Sequence, residues 1–360
     1  MRAWHYTSAR QGLDKAIRLV PDAAVPVPAA RDGGGDVLVR VHAMSLNPAD
    51  VKLPEMGPLI ARLVIRTPAA PGMDFAGVVV SSSSSSSKDP EQRQKPKEGE
   101  GEVGVFQPGD RVFGRVEAPT SQGSLGEYVL ASPAGLAHLP AGVGMEDGAA
   151  VGTAGLTAYQ CVVPNVVPGA GDRVFVNGGS GGTGVFGIQI AKALGCEVVA
   201  SCSGRNAELV RGLGADEVVD YAAEDVVARL REMSRGEGKM FKLVVDNVGG
   251  SPADLYSASE HYLAPDGKFV QIGAGSSFGD MRSLMSRALR PGFLGGGRRK
   301  WEFFLTSNRA DELRRIAGWM AEGKLKAVVD EVFEYEKAPE AVAKLKTGRA
   351  RGKVVVRVSE

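Results

Sequence analysis

Residues 177–184 read Asn-Gly-Gly-Ser-Gly-Gly-Thr-Gly, and no other stretch so narrows what this chain can fold into. They stand between an apolar run, DRVFVN, and a segment from 182 to 194 whose apolar residues recur at helical spacing. Gly179, Gly181 and Gly184 satisfy G-x-G-x-x-G. The first glycine permits a tight turn out of a strand, the second lets backbone approach a pyrophosphate, and the third lets helix and strand pack closely. A helix start adds free N–H donors and a partial positive charge. Gly179, Ser180, Gly181, Gly182, Thr183 and Gly184 are therefore candidate dinucleotide contacts. The alternative is a glycine-rich turn without a ligand.

The chain beyond the loop supports the dinucleotide. CEVVASC, ELVRGLG, EVVDY, DVVARLREM, FKLVVDNVG, DLYSASEHYL and GKFVQIGA alternate strand-like and helix-like patterns, which implies a parallel sheet with helices on both faces, a doubly wound α/β unit. Ligands of such sheets bind beyond the strand C-termini, which adds Asn247, Ile272 and Gly273 as candidate contacts. A site preferring NAD places an acid about 20 residues past the loop, at the end of the second strand, to hold the ribose 2′-OH. Residues 198–206 carry no carboxylate but include Ser203, Arg205 and Asn206. Hydrogen bonds and charge from these suit a 2′-phosphate, so the expected cofactor is NADPH. Arg205 as a plain solvated residue is the competing view.

At 360 residues the chain exceeds what one core organises, so two units are expected. The N-terminal part is mostly β: DVLVRVHAMSL at 36–46 alternates at period two, and FAGVVV comes next at 75–80. Residues 81–104, beginning SSSSSSSKDPEQRQ, hold almost no apolar side chains to repay ordering and read as a solvated surface insertion. A helix pattern at 310–323, a strand at 330–335, a helix at 339–346 and the strand KVVVRV return the chain to the first unit. The expected boundaries are 1–137 with 308–360 for one unit and 138–307 for the other.

Lys plus Arg total 43 against 42 Asp plus Glu, so no net field recruits nucleic acid or an acidic membrane. No apolar run approaches a membrane span. The three cysteines, Cys161, Cys196 and Cys202, lack disulfide or zinc-knuckle spacing, and the four histidines show no metal pattern. A reducing, cytoplasmic setting is expected; the basic start (Arg2, Arg10, Lys15, Arg18) leaves a mitochondrial presequence as the alternative.

Several motifs together resemble one family. PGMDFAGVV, PGDRVFG, GSLGEYV, VGTAGLTAY, GGSGGTG, LGADEVVDY, VVDNVGG, GKFVQIGA and RARGKVVV occur in the order and spacing of the medium-chain dehydrogenase/reductases, over essentially the whole chain apart from the insertion. The resemblance implies a GroES-like unit plus a Rossmann domain. It also shows a departure. Where the zinc branch has cysteines and a His-Glu pair, this chain has Asn47, Met73-Asp74 and Thr153, so no catalytic metal is expected. Without that Lewis acid, reduction of an electron-poor quinone or enone becomes the implied chemistry. By resemblance Asn47 and Asp50 approach nicotinamide and acceptor as candidate catalytic residues, Asn47 as a donor to developing negative charge; alternatively they form a turn and a helix cap. Tyr221, Thr157 and Lys353 resemble cofactor contacts. A homodimer through the edge strand at 300–306 is expected. The same motifs resemble stand-alone enoyl reductases that serve polyketide synthases, and a non-catalytic NADPH-binding role is the alternative of another class.

Overall fold

The computed structural model describes residues 1–359 except 29–34, 57–63, 84–104, 236–238, 251, 253 and 274–297. Along the chain the strands are β1 (Ala3–His5), β2 (Arg18–Val20), β3 (Val37–Leu46), β4 (Asp74–Ser82), β5 (Arg111–Arg115), β6 (Tyr128–Ala131) and β7 (Leu136–His138). Then come β8 (Arg173–Asn177), β9 (Glu197–Cys202), β10 (Glu217–Asp220), β11 (Phe241–Asp246), β12 (Leu263–Gln271) and β13 (Lys300–Phe303), with β14 (Val329–Glu334) and β15 (Lys353–Arg357) last.

The first unit comprises Met1–Leu156 and Ser307–Glu360. Its seven-stranded sheet runs β14-β15-β3-β4-β5-β7, with β6 also on β3. The long strand β3 organises it: β4 pairs along one edge, while β6 takes Val37 to Arg40 and β15 takes Ala43 to Leu46. Apolar side chains that alternate along these strands, among them Val39, Val41, Phe75, Val112, Val354 and Val356, are buried in its core. The C-terminal strand thus returns to the N-terminal unit. The unit also extends further than the 137 expected, because β7 pairs with β5 and the helix Met145–Ala149 packs on β3, β4 and β5.

Strand β4 runs beyond the apolar FAGVVV segment into the serines, where Ser81 and Ser82 pair with Leu38 and Val37. Backbone pairing carries the ladder on after the hydrophobic pattern stops, and Ser82 is buried. The solvated loop expected at 81–104 therefore starts later, and its residues 84–104 lie outside those described. The flanking strands β4 and β5 pair antiparallel, with Asp74 opposite Arg115.

The second unit, Thr157–Thr306, is the doubly wound domain. Its six strands are all parallel in the order β10-β9-β8-β11-β12-β13. Counting from β8 this is 3-2-1-4-5-6, whose direction reverses between β8 and β11. One expected helix is not formed: among the described residues DLYSASEHYL gives a single i→i−4 bond, Ala258 to Asp254, then one 3-10 turn at Ser259–His261. So short a segment gains little from a helical ladder, and it buries Leu255, Tyr256 and Tyr262 without one.

Candidate active site

The glycine loop leaves β8 and enters the helix Gly182–Ala193. That ladder opens with Val185 N–H to Gly181 C=O at 3.1 Å, so the N–H groups of Gly182, Thr183 and Gly184 precede the first turn's acceptors. A Cβ on Gly184 would lie 2.3 Å from Gly178 O, and one on Gly179 would lie 2.9 Å from the Ala200 methyl; both positions need glycine for packing. Gly181 differs. A Cβ there would meet only Gly178 O, at 3.4 Å, and would otherwise project into the open side of the loop.

A buried polar network holds this loop in place. Asn177 Nδ2 donates to Asp246 Oδ1 at 2.8 Å, and Asp246 Oδ1 also accepts Gly249 N–H at 3.0 Å. Ser201 Oγ donates to Asn177 Oδ1 at 2.6 Å and accepts Gly178 N–H at 3.0 Å. The ends of β8, β9 and β11 are thus fixed to one another. Ser201 and Asp246 were not singled out from sequence; the signal was a polar residue inside an otherwise apolar strand, each time near its C-terminus.

Candidate cofactor contacts gather along those ends. Asn206 Nδ2 donates to Ser180 Oγ at 3.0 Å, and Asn247 Nδ2 donates to Asn177 O at 2.8 Å. Ser203 Oγ, Asn206 Oδ1 and Asn247 Oδ1 are buried without a hydrogen-bond partner among the described residues. Buried polar atoms left unpaired are costly, and these three border the loop that a dinucleotide would fill, so the residues present fit that group. Arg205 is exposed, Tyr221 is 58% exposed, and Ile272 and Gly273 come after β12 with their N–H groups on Asp246 O. Thr157 is buried, its hydroxyl bonded to that of Thr306. A carboxylate unforeseen in the sequence also stands here. Asp220, ending β10, has its Oδ2 2.4 Å from where a Gly204 Cβ would be.

In the first unit, Asn47 precedes the helix Pro48–Glu55 and Asp50 reaches back to it, its Oδ2 accepting the Asn47 backbone N–H at 2.7 Å. The cap expected as an alternative is therefore present. Both side chains are also buried in a larger cluster. Asn47 Nδ2 donates to Asp74 Oδ2 at 2.9 Å, and Lys353 Nζ donates to Asn47 Oδ1 at 2.5 Å and to Asp74 Oδ2 at 3.2 Å. Thr153 gives Asp74 Oδ1 its backbone N–H at 2.7 Å and its hydroxyl at 2.5 Å. Lys353, expected by resemblance beside the cofactor, thus has its ammonium engaged by side chains of its own unit, 3% exposed. Burial, with the Asp74 charge second, pushes the Asp50 carboxyl up to about 7.

Asp74 was the member missed from sequence, although a lone carboxylate within PGMDFAGVV was the available sign. Arg115 was missed too. Its buried guanidinium donates to Asn308 Oδ1 at 3.0 Å and to the Met73 sulfur at 3.8 Å, and burial lowers its proton affinity against the pull of Asp74 and Asp50. These surroundings do not fit zinc. The Met73 thioether faces a cation, Asp74 is taken by Lys353 and Thr153, and the thiolates and imidazoles a zinc centre requires are replaced. Burial raises the thiols of Cys161, Cys196 and Cys202, which suits inert core residues.

A glycine cradle in a doubly wound domain, joined in one chain to a β unit that shows no metal-ligand cluster among the described residues, fits a zinc-independent oxidoreductase. The chain belongs to the medium-chain dehydrogenase/reductase superfamily, in its quinone oxidoreductase-like branch. Residues 33–141 match the alcohol dehydrogenase GroES-like domain and residues 213–356 the zinc-binding dehydrogenase family. The trans-enoyl reductase pgmF of Aspergillus terreus is 42% identical over 100% of this chain and 97% of its own length. The mitochondrial NAD(P)H oxidoreductase RTN4IP1 of Danio rerio is 31% identical over 100% of this chain and 92% of its own. Among solved structures, the quinone oxidoreductase from Coxiella burnetii matches with a TM-score of 0.76 and 27% identity, over 99% of both chains.

Proposed function

We propose that this chain reduces the activated double bond of an α,β-unsaturated carbonyl compound or a quinone, using NADPH and no metal. The observation that carries this reading is the pairing of two features. A glycine cradle is bordered by unpaired Ser203, Asn206 and Asn247 oxygens, and the family's metal position is filled by Met73 against Arg115. When bound, NADPH supplies a hydride; a conjugated acceptor spreads the charge that arrives with it. Gly179, Ser180, Gly181, Gly182, Thr183 and Gly184 would hold the pyrophosphate, and Ser203, Arg205 and Asn206 the 2′-phosphate. Asn247, Ile272, Gly273, Thr157 and Tyr221 would line the rest of the cofactor. In the first unit Asn47 and Asp50 would serve the acceptor.

The relative at 42% identity favours the enone over the quinone, since its name is that of a trans-enoyl reductase. Turnover of NADPH with a thioester-linked enone, set beside simple quinones, tests this: kcat/KM should be higher for the enone. A quinone preference would move the reading to that arm, and NADPH binding without turnover of either would favour the non-catalytic role.

Two further expectations belong to this reading. β13 pairs only with β12 among the described strands, and the adjoining Leu305 is 77% exposed. Pairing of this edge with a second copy would give the homodimer, which sedimentation at micromolar concentration checks. No helix among the described residues is long and apolar enough to cross a membrane. A cytoplasmic or a mitochondrial home both suit the reading, and imaging of the tagged protein separates them.

A further inference from the structure

The turn that begins the glycine loop is held from both neighbouring strands. In the register of the sheet Asn177 stands opposite Asp246 of β11 and Val176 opposite Ala200 of β9, so Asn247 and Ser201 each reach the level at which β8 ends. They meet at one peptide group. Its carbonyl, Asn177 O, accepts from Asn247 Nδ2 at 2.8 Å and from the Asn247 backbone N–H at 3.3 Å. Its N–H, on Gly178, donates to Ser201 Oγ at 3.0 Å. The next peptide is pinned as well: Gly179 N–H donates to Ser201 O at 2.7 Å, and Gly178 O accepts Gly181 N–H at 3.1 Å. Both peptide planes are thereby fixed through carbonyl and N–H alike.

The side chains that do this are held in turn. Ser201 is fully buried, and its hydroxyl hydrogen goes to Asn177 Oδ1 at 2.6 Å, which leaves a lone pair for Gly178 N–H. Asp246 Oδ1 accepts Asn177 Nδ2 at 2.8 Å, Val248 N–H at 3.1 Å and Gly249 N–H at 3.0 Å, and so fixes the turn that carries Asn247. The Asn247 amide has one orientation. A backbone carbonyl only accepts, so Nδ2 faces Asn177 O. These bonds matter because Gly178 has a φ of +76°, and a glycine offers no side chain to resist a flip of either peptide. Reversing the second peptide would take Gly178 O from Gly181 N–H and shift the donors that follow. With the N–H groups of Gly178, Gly179 and Gly181 engaged, those of Ser180, Gly182 and Thr183 have no protein acceptor among the described residues.

We infer that Ser201 and Asn247 are a pair of positioning residues, which clamp the Asn177–Gly178 peptide from opposite sides and so keep the loop's remaining donors aligned for a pyrophosphate before the ligand arrives. This rests on the proposed dinucleotide site. It gives Asn247 a role apart from touching the cofactor, since its Nδ2 serves the loop.

Fluorescence titration of the full chain with NADPH and NADH, at a temperature where circular dichroism shows every variant folded, tests the clamp. Ser201→Ala and Asn247→Ala should each weaken both cofactors about ten-fold, with the ratio between the two unchanged because the 2′-phosphate end is untouched. Either change alone frees the peptide. The double variant should therefore lose no more than about two-fold beyond the weaker-binding single variant. Unchanged affinity in Ser201→Ala would overturn the inference. So would losses that multiply in the double variant, since Asn247 would then act through the cofactor and not through the loop. Amide exchange of the unmodified protein needs no variant to fold. Without cofactor the Gly178 and Gly179 N–H groups should be protected, while those of Ser180, Gly182 and Thr183 exchange faster and slow when NADPH is added. Free exchange at Gly178 and Gly179 would overturn the inference and leave the dinucleotide site standing. If the unmodified protein bound neither cofactor, that site would fail and the inference with it.

Discussion

Asn206 Nδ2 donates to Ser180 Oγ at 3.0 Å, so a residue just past the second parallel strand's polar end is bonded to the middle of the glycine loop. The loop suited to a pyrophosphate and the strand end suited to a 2′-phosphate are thereby held as one piece. On the proposed function, a dinucleotide meeting them would find both halves of its site already placed, which limits the ordering cost of binding.

Gly181 separates binding from folding within that piece. A Cβ there meets nothing closer than 3.4 Å, and its φ of −83° suits any L-residue. Gly181→Val should leave the melting temperature nearly unchanged and weaken NADPH and NADH together, by about ten-fold or more if one charge-assisted contact is lost. Fluorescence titration with both cofactors checks it; unchanged affinity for both would remove the pyrophosphate from this loop.

Cofactor choice should depend on two opposed charges. A contact from Arg205 to a 2′-phosphate contributes roughly 1.5 to 3 kcal/mol, equivalent to about ten- to a hundred-fold in affinity, so Arg205→Ala should narrow the preference for NADPH over NADH. Asp220, close against Gly204, places negative charge near the same phosphate, so Asp220→Asn should widen it. Dissociation constants of the two cofactors for both variants settle the matter. If Asp220→Asn instead weakened NADH alone, the carboxylate would be holding a ribose hydroxyl.

Stability should carry the mark of Asp50. Its carboxyl lies near 7 in the folded chain against an ordinary 3.8. Between those values the folded protein binds a proton that the unfolded chain does not, so this group's contribution is full below the lower value and is lost as pH rises through the upper one. Asp50→Asn lacks that slope. Comparing urea midpoints at about pH 5 and about pH 8, the variant should gain on the unmodified protein at the higher pH; a constant difference would contradict the buried, proton-holding state.

Metal analysis bears on the same unit. With Met73 facing Arg115 and Asp74 bonded to Lys353, the purified protein should carry no stoichiometric zinc and should keep its turnover in chelator. Elemental analysis that found one tightly bound zinc per chain, lost together with activity, would contradict the chemistry argued for this cluster.

Much of this was legible in the sequence, for physical reasons that also explain the gaps. The glycine spacing and the strand–helix alternation are local patterns, and they led to the parallel sheet and its loop without any structure. The carboxylate-free end of the second strand was equally plain. Yet Asp220 approaches that end from the third strand, and no local pattern reports a neighbour across a sheet. Lys353 and Asp74 are 279 residues apart in sequence, so resemblance alone suggested a cofactor contact for a lysine whose partners are Asn47 and Asp74. The helix expected from DLYSASEHYL failed for the opposite reason: its local pattern was outweighed by packing of Tyr256 and Tyr262 against the sheet.

Hydride transfer from NADPH to a conjugated carbonyl acceptor is the proposed reaction. Its most direct test is the rate of NADPH consumption by the purified full-length protein across a panel of enones, enoyl thioesters and quinones, with NADH run in parallel. Turnover of at least one acceptor class is expected, with NADPH giving a kcat/KM about ten-fold or more above NADH. Equal use of the two cofactors would contradict the 2′-phosphate assignment, and no consumption of either with any acceptor would contradict the claim itself.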